Sequence, residues 1–197
     1  MFRRRSDDWA DQLEVKGIGG VPAMSARFLL CVLGLVAVPS IAAEADLPQP
    51  LVAQIERTVQ LLRDSYATEY PDARMVQRTR GQNDEPVTLV VFTIEGFGGG
   101  NNHAQYLAAF EAETDREGEP HYRLLDVIPI GGKGWRAVEA LNARTTHDPR
   151  SQETVFTLDV MENGPDDAMN SPSIKAVVLV KLKKGRLVEV PAAGGSD

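Results

Sequence analysis

Cysteine is almost missing from this 197-residue sequence; Cys31 is the single one. One thiol cannot close an intrachain disulfide or build a cysteine-rich metal site, so a disulfide scaffold and a thiolate zinc module are both excluded. Histidine is nearly as scarce. His103, His121 and His147 are all there are, with no i, i+2 or i, i+4 pair among them. Zinc needs three or four converging ligands, and only pairing of the strands that carry His103 and His121 would bring two of these together. Basic residues are outnumbered, 21 Lys and Arg against 28 Asp and Glu, a net charge of −7. A surface of that sign repels phosphate backbones and anionic lipid heads, which argues against nucleic acid as a partner. A membrane-spanning helix takes about 20 apolar residues in a row. The longest run here, residues 28–38, stops short at Pro39 and Ser40.

Catalytic signatures are missing too. Ser65, Ser151, Ser171, Ser173 and Ser196 all lie outside any G-x-S-x-G elbow. Carboxylates such as Glu111, Glu113 and Asp159 are plentiful, but in an acidic chain they are no sign of paired acid–base chemistry. No catalytic residue, cofactor or metal ligand is assigned from the sequence.

What is present is an export signal. Residues 24–45, MSARFLLCVLGLVAVPSIAAEA, run from a methionine through a cation (Arg27), an apolar stretch, a proline and a series of small residues. That order predicts a secretory signal peptide, preferred to a retained membrane anchor, with usable cleavage points after Ala42, Ala43 or Ala45. Cys31 lies too early in the apolar run to be a lipid-modified cysteine. The preceding 23 residues mix Arg3, Arg4, Arg5 and Lys16 with Asp7, Asp8, Asp11 and Glu14, which fits poorly in front of a signal. Translation is therefore expected to start at Met24, the alternative being a disordered extension over 1–23. The expected product is periplasmic or secreted, free of cysteine, without a stable membrane span after cleavage, and still at net charge −7, because residues 1–45 hold five basic and five acidic side chains.

The rest reads as one globular domain, residues 46–190, followed by a flexible tail over 191–197. Val52, Ile55, Val59, Leu62 and Tyr66 recur at steps of three and four, predicting an amphipathic helix over about 51–69 between Pro50 and Pro71. Its apolar stripe is expected to dock on a sheet. Residues 72–86 read as a strand remnant plus loop. VTLVVFTIE, 87–95, is β-branched and apolar on both faces, the pattern of a central strand. Residues 103–113 fit strand or helix, with strand preferred after a glycine turn. Strands are expected over 121–130, 153–162, 174–183 and 187–190. Residues 135–141 fit a strand or one helical turn, and 142–152 a polar loop. The expected class is α+β: one N-terminal amphipathic helix packed on an antiparallel sheet of about six strands, as a meander or half-barrel.

Three loops hold the candidate contact residues. Gly96-Phe97-Gly98-Gly99-Gly100-Asn101-Asn102 can offer backbone N–H groups to an anion, or simply supply positive φ for a hairpin, which is the preferred reading. Phe97 is expected to stand exposed there, beside Asn101 and Asn102. In Gly131-Gly132-Lys133-Gly134-Trp135-Arg136, Lys133 and Arg136 flank an indole, an arrangement that holds an anion or a sugar ring; the plainer reading packs Trp135 on the core. Asp167 and Asn170 lie in an oxygen-rich loop without EF-hand spacing, more simply a solvated one.

The segment Asp167-Ala168-Met169-Asn170-Ser171-Pro172-Ser173, followed by a strand and Gly185-Arg186-Leu187, resembles small bacterial envelope proteins that carry Asp-Ala-x-Cys-Cys-Pro-Ser before a last hairpin. Tyr106-Leu107-Ala108-Ala109-Phe110 after a glycine turn fits the same pattern. Asn170 and Ser171 replace the adjacent cysteines, so no redox or metal role carries over. The resemblance implies an envelope location and a compact α+β architecture, without an assigned reaction. The function expected from all of this is a non-catalytic periplasmic accessory or binding protein, with an envelope protein or small ligand as partner. The alternatives are a hydrolase with a carboxylate or histidine site under the helix, and a purely structural envelope protein.

Overall fold

The structure, a computed structural model, describes residues 47–81, 84–148, 150–151 and 153–191. The expected extension over 1–23, the signal over 24–45 and residues 192–197 of the tail lie outside the described residues.

Helix α1 spans Gln49–Leu62, with Pro48 as its N-cap and Pro50 in its first turn. Leu51, Val52, Ile55 and Val59 form the buried stripe. The helix ends about two turns before the periodicity predicts. Arg63 is already extended, at φ −82° and ψ 152°. Asp64 then offers Oδ1 to the N–H groups of Tyr66 (2.9 Å) and Ala67 (2.8 Å), the local side-chain-to-backbone bonding that competes with helix. Tyr66, expected on the stripe, stands 70% exposed instead. The helix heads the sheet but not the chain, since it starts at Gln49.

Ten strands follow among the described residues, more than the six or so expected. β1 (Thr68–Glu69) and β2 (Met75–Arg80) both pair with β3 (Pro86–Glu95), one after the other, as a broken edge strand. β4 (His103–Thr114) and β5 (Pro120–Gly132) follow. β6 (Arg136–Ala137) and β7 (Arg144–Asp148) are a second broken strand, both pairing with β8 (Glu153–Glu162). β9 (Ile174–Lys183) and β10 (Arg186–Val190) complete a wholly antiparallel series in which, with β1 and β2 taken as one broken strand and β6 and β7 as another, each strand pairs with the next in the chain. The ambiguous segment 103–113 is strand throughout, and the loop expected at 142–152 contains β7.

The alternation of β3 divides the interior. Val87, Leu89 and Val91 face one core with Leu107, Ile130, Phe156, Leu158, Val180 and Leu182. Val90, Phe92 and Ile94 face the other, beneath Leu51, Ile55 and Val59 of α1, with Ala108 and Phe110. A central strand apolar on both faces thus has a helix on one side and the later strands on the other. Two register slips in β5, at Leu125 and Ile130, bend it as bulges do. Among the described residues, no helix is long and apolar enough to cross a membrane.

Candidate functional site: the loop end of the sheet

Strand register alone gathers the candidate loops. Thr68 pairs with Glu95, Glu95 with His103, Ala104 with Gly132, Gly132 with Arg136, Arg136 with Glu162, and Glu162 with Ile174. The 96–102, 133–135 and 163–173 loops therefore leave the sheet at the same end. The segment leading from α1 into β1 joins them there.

The glycine loop turns through left-handed backbone at Gly96 (φ 91°), Gly98 (φ 64°) and Gly99 (φ 74°). Its amides are already engaged: Gly96 donates to Asn102 O, Gly99 to Gly96 O, Gly100 to Phe97 O, and Gly98 to Asp64 Oδ2 at 2.8 Å. A loop that aims an N–H at a carboxylate is not a vacant anion nest. Asp64 ties the helix exit to this loop, and the Gly98 N–H, ahead of that of Tyr66, holds its carboxyl below the usual carboxylate range.

The 133–135 turn is laced to both neighbours. Lys133 N donates to His103 O and its Nζ to Asn101 Oδ1 at 2.5 Å. Gly134 N donates to Met169 O at 2.7 Å, and Asn163 N to Trp135 O at 2.9 Å. In the third loop, Asp167 accepts from Gly164 N, Ser173 N and Ser173 Oγ, all at 2.8 Å, so this carboxylate closes its own loop. The Gly164 N–H chiefly lowers its pKa.

Side-chain placement differs from expectation at two aromatics. Phe97 is half-buried against the helix-side core, not exposed. Trp135 is 43% exposed, not packed in the core; its neighbour Arg136 is the buried one, at 4%. The Arg136 guanidinium lies 4.1 Å from the Trp135 ring centroid, forks onto Glu189 and donates from Nε to Ile130 O. It is a structural tie, and it keeps the Glu189 carboxyl below its ordinary range. Lys133, Asn101 and Asn170 come together at the loop end. Asn102 is exposed and contributes its carbonyl to the turn.

A cleft of about 560 Å³ opens at this end, lined by Tyr66, Thr68, Tyr70, Glu95, Asn101, His103 and Asn170 with Gly96 and Gly100. Tyr66, Tyr70, Glu95 and Thr68 were not candidates from sequence. The one local signal was Asp64 two residues before Tyr66, the spacing of an Asx turn that ends the helix early. His103 and His121 sit at opposite ends of β4–β5, since His121 pairs with Glu113. Among the described residues, no group of three His, Cys, Asp or Glu side chains is placed to hold a metal ion.

A second cleft, about 750 Å³, runs along α1 between Glu56, Arg57, Arg63, Glu69 and Arg74. At its base Arg74 forks onto Glu69, at 2.6 and 2.8 Å, with both side chains nearly fully buried. A carboxylate with both oxygens committed to a guanidinium is a structural ion pair, not a proton-transfer group.

Comparison with known proteins finds no matching family model, no matching curated protein and no matching solved structure.

Proposed function

We propose that the chain is an exported, non-catalytic binding domain that seats its ligand in the loop-end cleft. The observation that carries this reading is Tyr66. Its ring is 70% exposed at the cleft, while its backbone N–H is bonded to Asp64 Oδ1. An exposed ring at a cleft mouth offers a ligand flat apolar contact at the cost of only two side-chain torsions. The polar groups around it are unspent. Among the described residues, the side chains of Thr68, Tyr70, Glu95, His103 and Asn170 make no hydrogen bond within the protein.

The hydrolase alternative draws on Glu95 and His103, which pair across β3 and β4 and both line the cleft. It lacks the hydrogen bond that would orient a base and a serine or cysteine for that base to activate. Export and an envelope location are supported by the 24–45 signal and by the likeness of the 167–173 loop to envelope proteins.

Thermal unfolding of the purified protein, with and without the soluble small-molecule fraction of a bacterial envelope extract, tests the site. The fraction raises the transition temperature of wild type and leaves the Tyr66→Ala/Tyr70→Ala double variant unmoved. An equal rise in both, or none in either, overturns the reading. Export is tested separately by intact mass. Expression from the native gene yields a chain beginning after Ala42, Ala43 or Ala45, and recovery of a peptide from residues 6–16 contradicts the start at Met24.

A further inference from the structure

We infer that the cleft takes an uncharged, polyhydroxylated ligand of the saccharide class, with the Tyr66 ring as its stacking platform. This rests on the loop end being the binding site, and it adds the chemistry of what binds there.

Three observations select the class. First, charge. The N–H groups of Gly96, Gly98, Gly99 and Gly100 are spent, Gly98 on a carboxylate; Glu95 lines the cleft in a chain of net charge −7, and the Lys133 ammonium beside it is already bonded to Asn101 Oδ1. An anion entering there meets repulsion and no open donor nest. Second, the lining. No Leu, Ile, Val, Met or Phe side chain lines the cleft, so an acyl chain or an apolar peptide side chain finds no pocket. The nearest strand edge, β1, is two residues long, too short to recruit a peptide as an added strand. Third, the donor and acceptor mixture. A carboxylate, two carboxamides, an imidazole, a threonine hydroxyl and two phenols surround the opening. The carboxylate accepts, and the carboxamides, imidazole and hydroxyls each offer both a donor and an acceptor, which suits vicinal hydroxyls that also do both. The exposed tyrosine faces supply flat apolar contact to the C–H side of a sugar ring while their hydroxyls remain wet. The volume, about 560 Å³, lies within the range of about 300–1,000 Å³ that small-ligand sites occupy.

Isothermal titration of the full chain with chitotetraose, maltotetraose and cellotetraose tests the class, with inorganic phosphate and a mixed tetrapeptide library as counter-probes. At least one neutral tetrasaccharide binds, and phosphate does not. Tyr66→Ala weakens binding at least tenfold, Tyr66→Phe stays within about threefold of wild type because the ring is kept, and Asn170→Ala lies between them. Circular dichroism of each variant verifies the fold. Binding of the peptide library or of phosphate in place of any tetrasaccharide overturns the saccharide assignment and leaves the loop end as a binding site. Absence of tetrasaccharide binding, where the envelope fraction still stabilises wild type and not the double tyrosine variant, does the same. Tetrasaccharide binding that survives Tyr66→Ala unchanged overturns the placement of the site as well.

Discussion

Gln105 and Val138 exchange two hydrogen bonds, side-chain amide against backbone: Val138 N donates to Gln105 Oε1 at 2.7 Å, and Gln105 Nε2 donates to Val138 O at 3.2 Å. Gln77 does the same to Ala143, at 2.7 and 2.9 Å. Between β6 and β7 the chain leaves β8, and Val138 and Ala143, both buried, would otherwise carry unpaired backbone groups into the core. Two glutamines on β4 and β2 stand in for the missing strand. Replacing Gln105 with methionine keeps the volume and orphans both groups of Val138, so it lowers stability by about 2–3 kcal/mol. Urea denaturation measures the loss, with the m-value unchanged if the native state stays compact. Gln77→Met acts on the same segment, so the double variant is expected to depart from additivity.

Gly131 shows why that arrangement needs a glycine. It pairs with Gln105 across β4 and β5, and a Cβ there would lie 2.6 Å from Arg136 O and 2.8 Å from Gln105 Oε1. Gly131→Ala therefore pushes on the backbone of β6 and on the carboxamide that clips Val138. Thermal unfolding of this variant is expected to report a loss of about 1–3 kcal/mol, the range for overpacked sites. A change within a few tenths of a kcal/mol would mean that β6 moves aside freely.

Arg136 joins three parts of the sheet at once: β6, the Ile130 carbonyl in β5 and Glu189 in β10. Removing the guanidinium leaves a buried carbonyl and a carboxylate without partners. Arg136→Met is expected to destabilise by about 3 kcal/mol, near the low end for breaking a buried pair because Glu189 is 40% exposed. Arg136→Lys recovers only part of this, since an ammonium cannot fork onto the carboxylate. Loss of the cation over Trp135 also alters the indole emission spectrum, which checks the local geometry independently.

These ties explain which features were legible in the sequence. β3, β8 and β9 are readable because their own residues carry the signal: both faces apolar in 87–95, strict alternation of Phe156, Leu158 and Val160. β7, Arg-Thr-Thr-His-Asp, is exposed at every position and is a strand only because β8 offers it a partner. β1 is too short to have a pattern. The helix boundary depended on one side chain, Asp64, which outbids the apolar stripe that continues to Tyr66. Phe97 and Trp135 exchange their expected burial because Phe97 packs against the helix-side core and Arg136, not the indole, is the buried side chain that reaches Glu189 of β10. The glutamine clips have no local signature at all. The loop-end assembly was legible in its pieces, as Asn101, Lys133 and Asn170, but their meeting is a product of strand register.

The Asp64 link between helix exit and glycine loop predicts an acid-sensitive cleft. In the folded chain this carboxyl titrates below its ordinary value of 3.8, chiefly because Gly98 N–H bonds to the charged form, with Tyr66 N–H next. The unfolded chain thus binds the proton more readily than the folded one. The contribution to stability is complete above 3.8 and is lost as the pH falls from there through the folded value. Hydrogen exchange followed by nuclear magnetic resonance resolves the individual amides. After correction for intrinsic rates, Gly98, Tyr66 and Ala67 lose protection over that acid window in wild type, while amides in the centre of β3 keep theirs. Asp64→Asn retains an oxygen acceptor, so it holds part of the protection and removes this pH dependence; Asp64→Ala exchanges fast at all three amides even at neutral pH. Equal protection of Gly98 in wild type and Asp64→Ala would show that the glycine loop is held by its internal hydrogen bonds alone.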